Sequence, residues 1–290
     1  MPKRAVPVPS LPTFPGRTHG TLWAHAEDSS SPTFMPWTED TFPEFLAAFE
    51  PLVLYLELKG IPLHVRPSPD FIAVAKAAKS TYSTGLNPIA WSMLHGVTWH
   101  AGAHEGGSYN AADVAADLEA CGVPFSGILG SYDEASRYAG PITGLRTGRV
   151  ASFDTLTCYG AVGHAGESAW AGIKSQGQQA VVLGGRTASF AHASPVARAV
   201  LAGTIPVGVV APVFALGKRR DGKAGYCSVA YSAAKSGSGV SAKDAIEHSL
   251  LDAPTVKWTS VPALVALWRA SGGGDAVYDA ATIGKGGVVA

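Results

Sequence analysis

Apolar positions along this chain fall in short runs whose period changes often, so the elements they predict are short and mixed. Helix is expected at 44–49, at 69–79 with alanine in many places, and at 88–94, where Pro88 opens the first turn. The clearest helical stretch is 111–120: Asn110 is a good N-cap, Asp113 lies in the first turn, and Gly122 follows the end. Further helices are expected at 195–201 behind Ser194, at 241–251 (SAKDAIEHSLL) and at 260–270. The run 52–58 (LVLYLEL) reads as a strand, as do 123–129, 149–159, 180–183 and 203–216. The polar turn 218–223 (KRRDGK) carries an Asp-Gly signal and predicts a hairpin joining 207–216 to 225–232. The segment 96–107 is too glycine-rich for a stable helix and reads as a loop.

Short helices interleaved irregularly with strands, without sustained β–α–β alternation or a long helix, predict an α+β fold. Its strands are expected to be mostly antiparallel, and its second half β-rich. Residues 1–40 hold seven prolines and no helical or strand period, which predicts an extended arm. Residues 41–271 then form a single globular domain, with a possible subdivision near 145, and 272–290 a glycine-rich tail.

Composition adds one strong constraint. Charged residues make up 15% of the 290, against about 25% in an average globular protein, and the net charge is zero. A near-neutral surface promotes association. The balance also speaks against a strongly electrostatic role on nucleic acid, for which Lys218, Arg219 and Arg220 are the only cluster of note. The three cysteines, Cys121, Cys158 and Cys227, are widely spaced and suggest neither a zinc site nor a disulfide framework. The start, MPKRAVPVPSLP, has no apolar stretch of the secretory kind, so a virion or cytoplasmic location is expected. Residues 199–217 run 19 positions without a charge, but Pro206, Gly208 and Pro212 favour two short buried strands over a membrane span.

Candidate chemistry concentrates in HGVTWHAGAHEGG, which carries His95, His100, His104 and Glu105. No GxSxG, phosphate-binding loop or dinucleotide fingerprint occurs. Trp99-His100-Ala101-Gly102, with Asn110 eight residues past the glycine, resembles the WHAG…N segment of the zinc-dependent N-acetylmuramoyl-L-alanine amidases related to peptidoglycan-recognition proteins. Gly163-His164 is similar to that family's later glycine–histidine ligand, and His64 would stand for its first. The chain departs from the family after Asn110, where a helical pattern replaces an apolar strand, and around His164, where the family's lysine and aspartate are missing.

Two functions follow as expectations. The first is a self-assembling structural protein, a coat or other component of a virus or phage particle, whose partners are copies of itself and other particle proteins. Pro7, Pro9, Leu11, Phe14 and Trp23 of the arm would make its subunit contacts, and no cofactor is expected. The alternative is an amidase-like hydrolase with zinc on His64, His100, His104 and His164, and Glu105 as the catalytic carboxylate.

Overall fold

A computed structural model describes residues 18–20, 22–26, 34–83, 85–102, 110–130, 141–153, 155–159, 170–175, 180–184, 209–210, 213–222, 225–227 and 256–263. The first part of the chain runs β1 (Thr18–Gly20), β2 (Leu22–His25), α1 (Phe42–Lys59), β3 (Leu63–Arg66), α2 (Pro69–Ala77), α3 (Pro88–Leu94), β4 (Val97–Trp99), α4 (Ala111–Glu119) and β5 (Ile128–Gly130). There follow β6 (Ile142–Thr143), β7 (Val150–Ala151), β8 (Thr155–Tyr159), β9 (Trp170–Ser175), β10 (Ala180–Gly184), β11 (Val209–Val210), β12 (Val213–Ala215) and β13 (Val256–Trp258). A helical turn at 261–263 ends the described chain.

The expected mixture of helices and strands is present, but its order differs from the expectation. β2, β3, β4 and β5 alternate with α1, α2–α3 and α4, and β12–β2–β3–β4 is parallel throughout. Among the described strands, antiparallel pairing is found in β8–β9–β10 and the β6–β7 hairpin. A parallel bridge between Ala101 and Leu129 carries the sheet from β4 to β5. From β5 the pairings continue through β8, β9, β10 and β11 to β1, which directly precedes β2 in the chain. The circuit closes on itself, so the strands form a barrel with α1–α4 against its outer face. Among the described residues no helix is long and apolar enough to cross a membrane, and the described parts of 199–217 are strands β11 and β12 with the two residues that follow β12.

The expected strand at 52–58 is the second half of α1. Phe42, Phe45, Leu46, Phe49, Leu52, Val53 and Leu56 are all buried at the i, i+3, i+4 spacing of one helix face. Pro51 lies inside this helix and removes one backbone donor, at a usual cost of about 3 kcal/mol. Burial of seven large apolar side chains, each contributing about 1.5–3 kcal/mol, outweighs that loss. Gly60 ends the helix at φ 66°, with its N–H donating to Glu57 O and the Ile61 N–H to Leu56 O. Leu22, Ala24, Leu63, Val65, Val97 and Trp99 point to this helical side and complete the core.

The arm contains structure where none was expected: its residues 18–20 and 22–25 are barrel strands. The second strand of the hairpin predicted through 218–223 lies outside the described residues beyond Cys227, and no pairing of 225–227 with β12 is among the described strands. β12 pairs in parallel with β2, and Arg219 bridges antiparallel to Phe34. The glycine-rich 96–107 segment contains β4, and the strand expected at 123–129 forms only from Ile128. Strand 149–159 is split into β7 and β8. The expected helices at 195–201 and 241–251, the tail, and most of 260–270 lie outside the described residues.

α4 forms where expected, and its acidic face holds the β6–β7 hairpin. Asn110 Oδ1 accepts from the Ala112 and Asp113 amides at 2.8 and 3.3 Å, while its Nδ2 donates to Thr143 O at 3.0 Å. Asp113 accepts from the Arg146 and Thr147 amides and from Thr147 Oγ1, and these hydrogen bonds hold its carboxyl below its ordinary pKa. Asn110→Ala removes the cap and the strut together. It should cost about 1–2 kcal/mol in urea unfolding, whereas Asn110→Asp, which keeps the cap, should recover at least half.

Candidate functional site

Strand alternation sends one set of side chains to the helices and the other into the barrel. Register places Trp23 beside His64, His64 beside Thr98, and His25 beside Arg66. The inward row therefore reads Trp23 and His25 on β2, His64 and Arg66 on β3, and Thr98 followed by His100 on β4. All are buried except Thr98, which is partly so. His25, Arg66 and His100 sit at the carboxyl ends of parallel strands, where α/β proteins bind their ligands.

Two histidines from this row meet directly. His64 Nδ1 lies 2.8 Å from His100 Nε2, and the rings stack at 5.1 Å between centroids. Trp23 covers both, at 5.0 and 5.5 Å. The remaining nitrogens are also engaged. The Val261 amide donates to His64 Nε2 at 3.2 Å, and His100 Nδ1 lies 3.1 Å from Ser126 Oγ. An amide N–H can only donate, so His64 Nε2 carries no proton and His64 Nδ1 does. His64 then donates to His100 Nε2, which leaves the His100 proton on Nδ1, facing Ser126. One backbone contact thus sets the tautomer of both rings.

Burial keeps the pair neutral. It pushes the His64 pKa down to about 3, and the same desolvation, with repulsion from His64, holds His100 well below the ordinary range. Ser126 is exposed and stands before Gly127 at φ 68°, a turn that folds its hydroxyl back to accept from the Ile128 amide at 3.2 Å.

Gly102 is held against Arg66. A Cβ there would fall 2.6 Å from the Cγ, Cδ and Nε of a fully buried side chain. Gly102→Ala must therefore displace Arg66. It should cost about 1–3 kcal/mol in urea unfolding, and Arg66→Ala in the same chain should relieve the clash.

Of the residues expected to bind metal, the structure brings His64 and His100 together through a direct hydrogen bond, and with the Val261 amide and Ser126 all four of their ring nitrogens are engaged. His104, Glu105 and His164 lie outside the described residues, as do Pro7, Pro9, Leu11 and Phe14. Among the described residues no group of three or more His, Cys, Asp or Glu side chains could hold a metal. Asn110 of the amidase-like segment caps α4. Trp23, expected at a subunit contact, is fully buried against the histidine pair. Lys218 pairs with Glu44 at 2.6 Å and Arg219 with Asp221 at 2.7 Å, so two of the three clustered cations are matched by carboxylates of the same chain. Cys121 and Cys227 are buried and unbonded, and burial raises both thiol pKa values. Ser126, His25 and Arg66 were missed. Only strand alternation around His64 could have flagged Arg66, and nothing local marks Ser126.

Comparisons with protein-family models, curated proteins and solved structures find no match to this chain.

Proposed function

We propose that the interior of the barrel, at the carboxyl ends of β2–β4, is an acid–base enzyme site of hydrolytic type acting on a polar substrate. The observation that carries this reading is the inward row of His25, His64, Arg66 and His100 on adjacent strands in register. Burying polar groups costs about 1–3 kcal/mol each where their hydrogen bonds are imperfect. A barrel selected for stability alone would fill those positions with branched aliphatic side chains. Arg66 suits a carboxylate or phosphate group, and a neutral imidazole can accept a proton from water or a hydroxyl. Zinc on His64 or His100 would require breaking one of the hydrogen bonds that now fill their ring nitrogens. Turnover of ester, amide and glycoside panels by the purified chain tests this reading, with metal content measured alongside. Activity lost in both His100→Gln and Arg66→Met while folding is retained supports it. Activity unchanged in both overturns it.

The second reading is a particle component. It is favoured by the low, balanced charge and by Leu145 and Val150, which stand 90% and 62% exposed on and beside the β6–β7 hairpin. The readings are compatible, since a particle protein can carry an enzyme. Light scattering separates them: a large closed oligomer, dissociated by Leu145→Glu, supports assembly, and a 29.8 kDa monomer excludes it.

A further inference from the structure

We propose that Ser126 is the nucleophile of this site, with His100 as its base and His64 as the group that positions the base, and that the Val261 amide holds the row in a resting proton arrangement. The proposal rests on the acid–base reading above and adds a reaction class, acyl or phosphoryl transfer through a serine ester. The spatial order is that of a nucleophile, a base and an orienting group. Ser126 Oγ is 3.1 Å from His100 Nδ1, and His100 Nε2 is 2.8 Å from His64 Nδ1. Ser126 is exposed while both rings are buried, so an electrophile can reach the hydroxyl but not the base.

The proton order is the reverse of a working one. A serine nucleophile needs an unprotonated base nitrogen beside it, and that base needs to donate its other N–H onward. Here the Val261 N–H occupies His64 Nε2, which fixes the proton on His64 Nδ1 and hence on His100 Nδ1, facing Ser126. Withdrawing this amide lets His64 take a proton from water at Nε2. Its Nδ1 proton passes to His100 Nε2, and the His100 Nδ1 proton leaves through Ser126 to solvent. One proton enters and one leaves, so the buried pair stays neutral throughout. Ser126 then donates to His100 Nδ1.

A fluorophosphonate probe reads the state of this row. Attack forms the Oγ–P bond and breaks P–F, fluoride leaves with the bonding pair, and the hydroxyl proton moves to His100. Val261 opens a helical turn, the helix position that best tolerates proline, so Val261→Pro removes the locking N–H together with part of a buried side chain. In the full chain, Val261→Pro should label at least tenfold faster than wild type, at Ser126 by peptide mapping. Ser126→Ala and His100→Gln should abolish labelling in that background. A folded Val261→Pro chain that labels no faster, or labels elsewhere, overturns the proposal. Should Val261→Pro fail to fold, nitrogen NMR of the wild-type histidines decides. Both Nε2 atoms unprotonated supports the lock, and a protonated His64 Nε2 overturns it. Hydrolytic turnover that needs His100 but survives Ser126→Ala would overturn this proposal while leaving the acid–base reading standing.

Discussion

Acidification from pH 7 to pH 4.5 should strip several kcal/mol from the stability of this protein, most of it above the range where carboxylates titrate. His64 and His100 are neutral in the folded chain, with His64 pushed down to about 3, whereas an unfolded histidine takes its proton near 6.5. Below pH 6.5 the unfolded state therefore binds protons that the folded state refuses, and stability falls as pH falls. Each histidine contributes a slope of about 1.4 kcal/mol per pH unit, so the pair contributes up to roughly 2.7. This stabilisation is fully present above pH 6.5 and declines toward the folded pKa. Asp113 and Glu119 behave alike but lower on the scale. Hydrogen bonds and charge from Thr147, Arg146 and Arg149 depress their pKa values, so their contribution is present above their ordinary pKa values and is lost below them. Urea unfolding at pH 7.5, 6.5 and 5.5 isolates the histidines. His100→Gln should flatten the slope by about one proton, whatever it does to stability at pH 7.5. An unchanged slope would show that the pair is not held neutral.

Phe45→Ala should cost about 3–5 kcal/mol, a large share of the roughly 5–15 kcal/mol by which domains are stable. The Phe45 ring is fully buried at the centre of an aromatic cluster. Its centroid lies 4.9 Å from that of Phe49, 5.1 Å from those of Trp37 and Phe42, 5.3 Å from Phe71 and 5.9 Å from Tyr226. Removing it opens a cavity lined by rigid rings that cannot collapse to fill it. Phe45→Leu should lose less than half as much. Leu58→Ala, on the exposed face of the same helix, should change stability by under about 0.5 kcal/mol. Equal losses at positions 45 and 58 would mean that α1 does not bury this face. Since α1 crosses over between β2 and β3, its loosening should also disturb the His64 register, visible as a changed pH slope.

Local chemistry was legible wherever it acts over a few residues. Asn110 with Asp113 marked α4, and Pro88 marked α3, because capping and first-turn effects are complete within one turn. The same locality misled the reading of α1. Pro51 looks like a boundary, and LVLYLEL fits a buried strand as well as a helix. Only the facing sheet, which accepts Leu52, Val53 and Leu56 on the same face as Phe45 and Phe49, decides between them. His64 and His100 were singled out as chemistry-bearing, but for zinc.

By itself the sequence determined the short-range elements, the unusual neutrality of the chain and the histidines worth watching. Each of these depends on residue type or on neighbours within a turn. Tertiary structure alone decided the closure of the barrel, the parallel pairing of its strands and the burial of Trp23. It also decided the coupling of His64 to His100 across 36 positions and to the Val261 amide across 197. Such contacts leave no local trace, because their energy depends on strand register and on which face of each strand the barrel encloses.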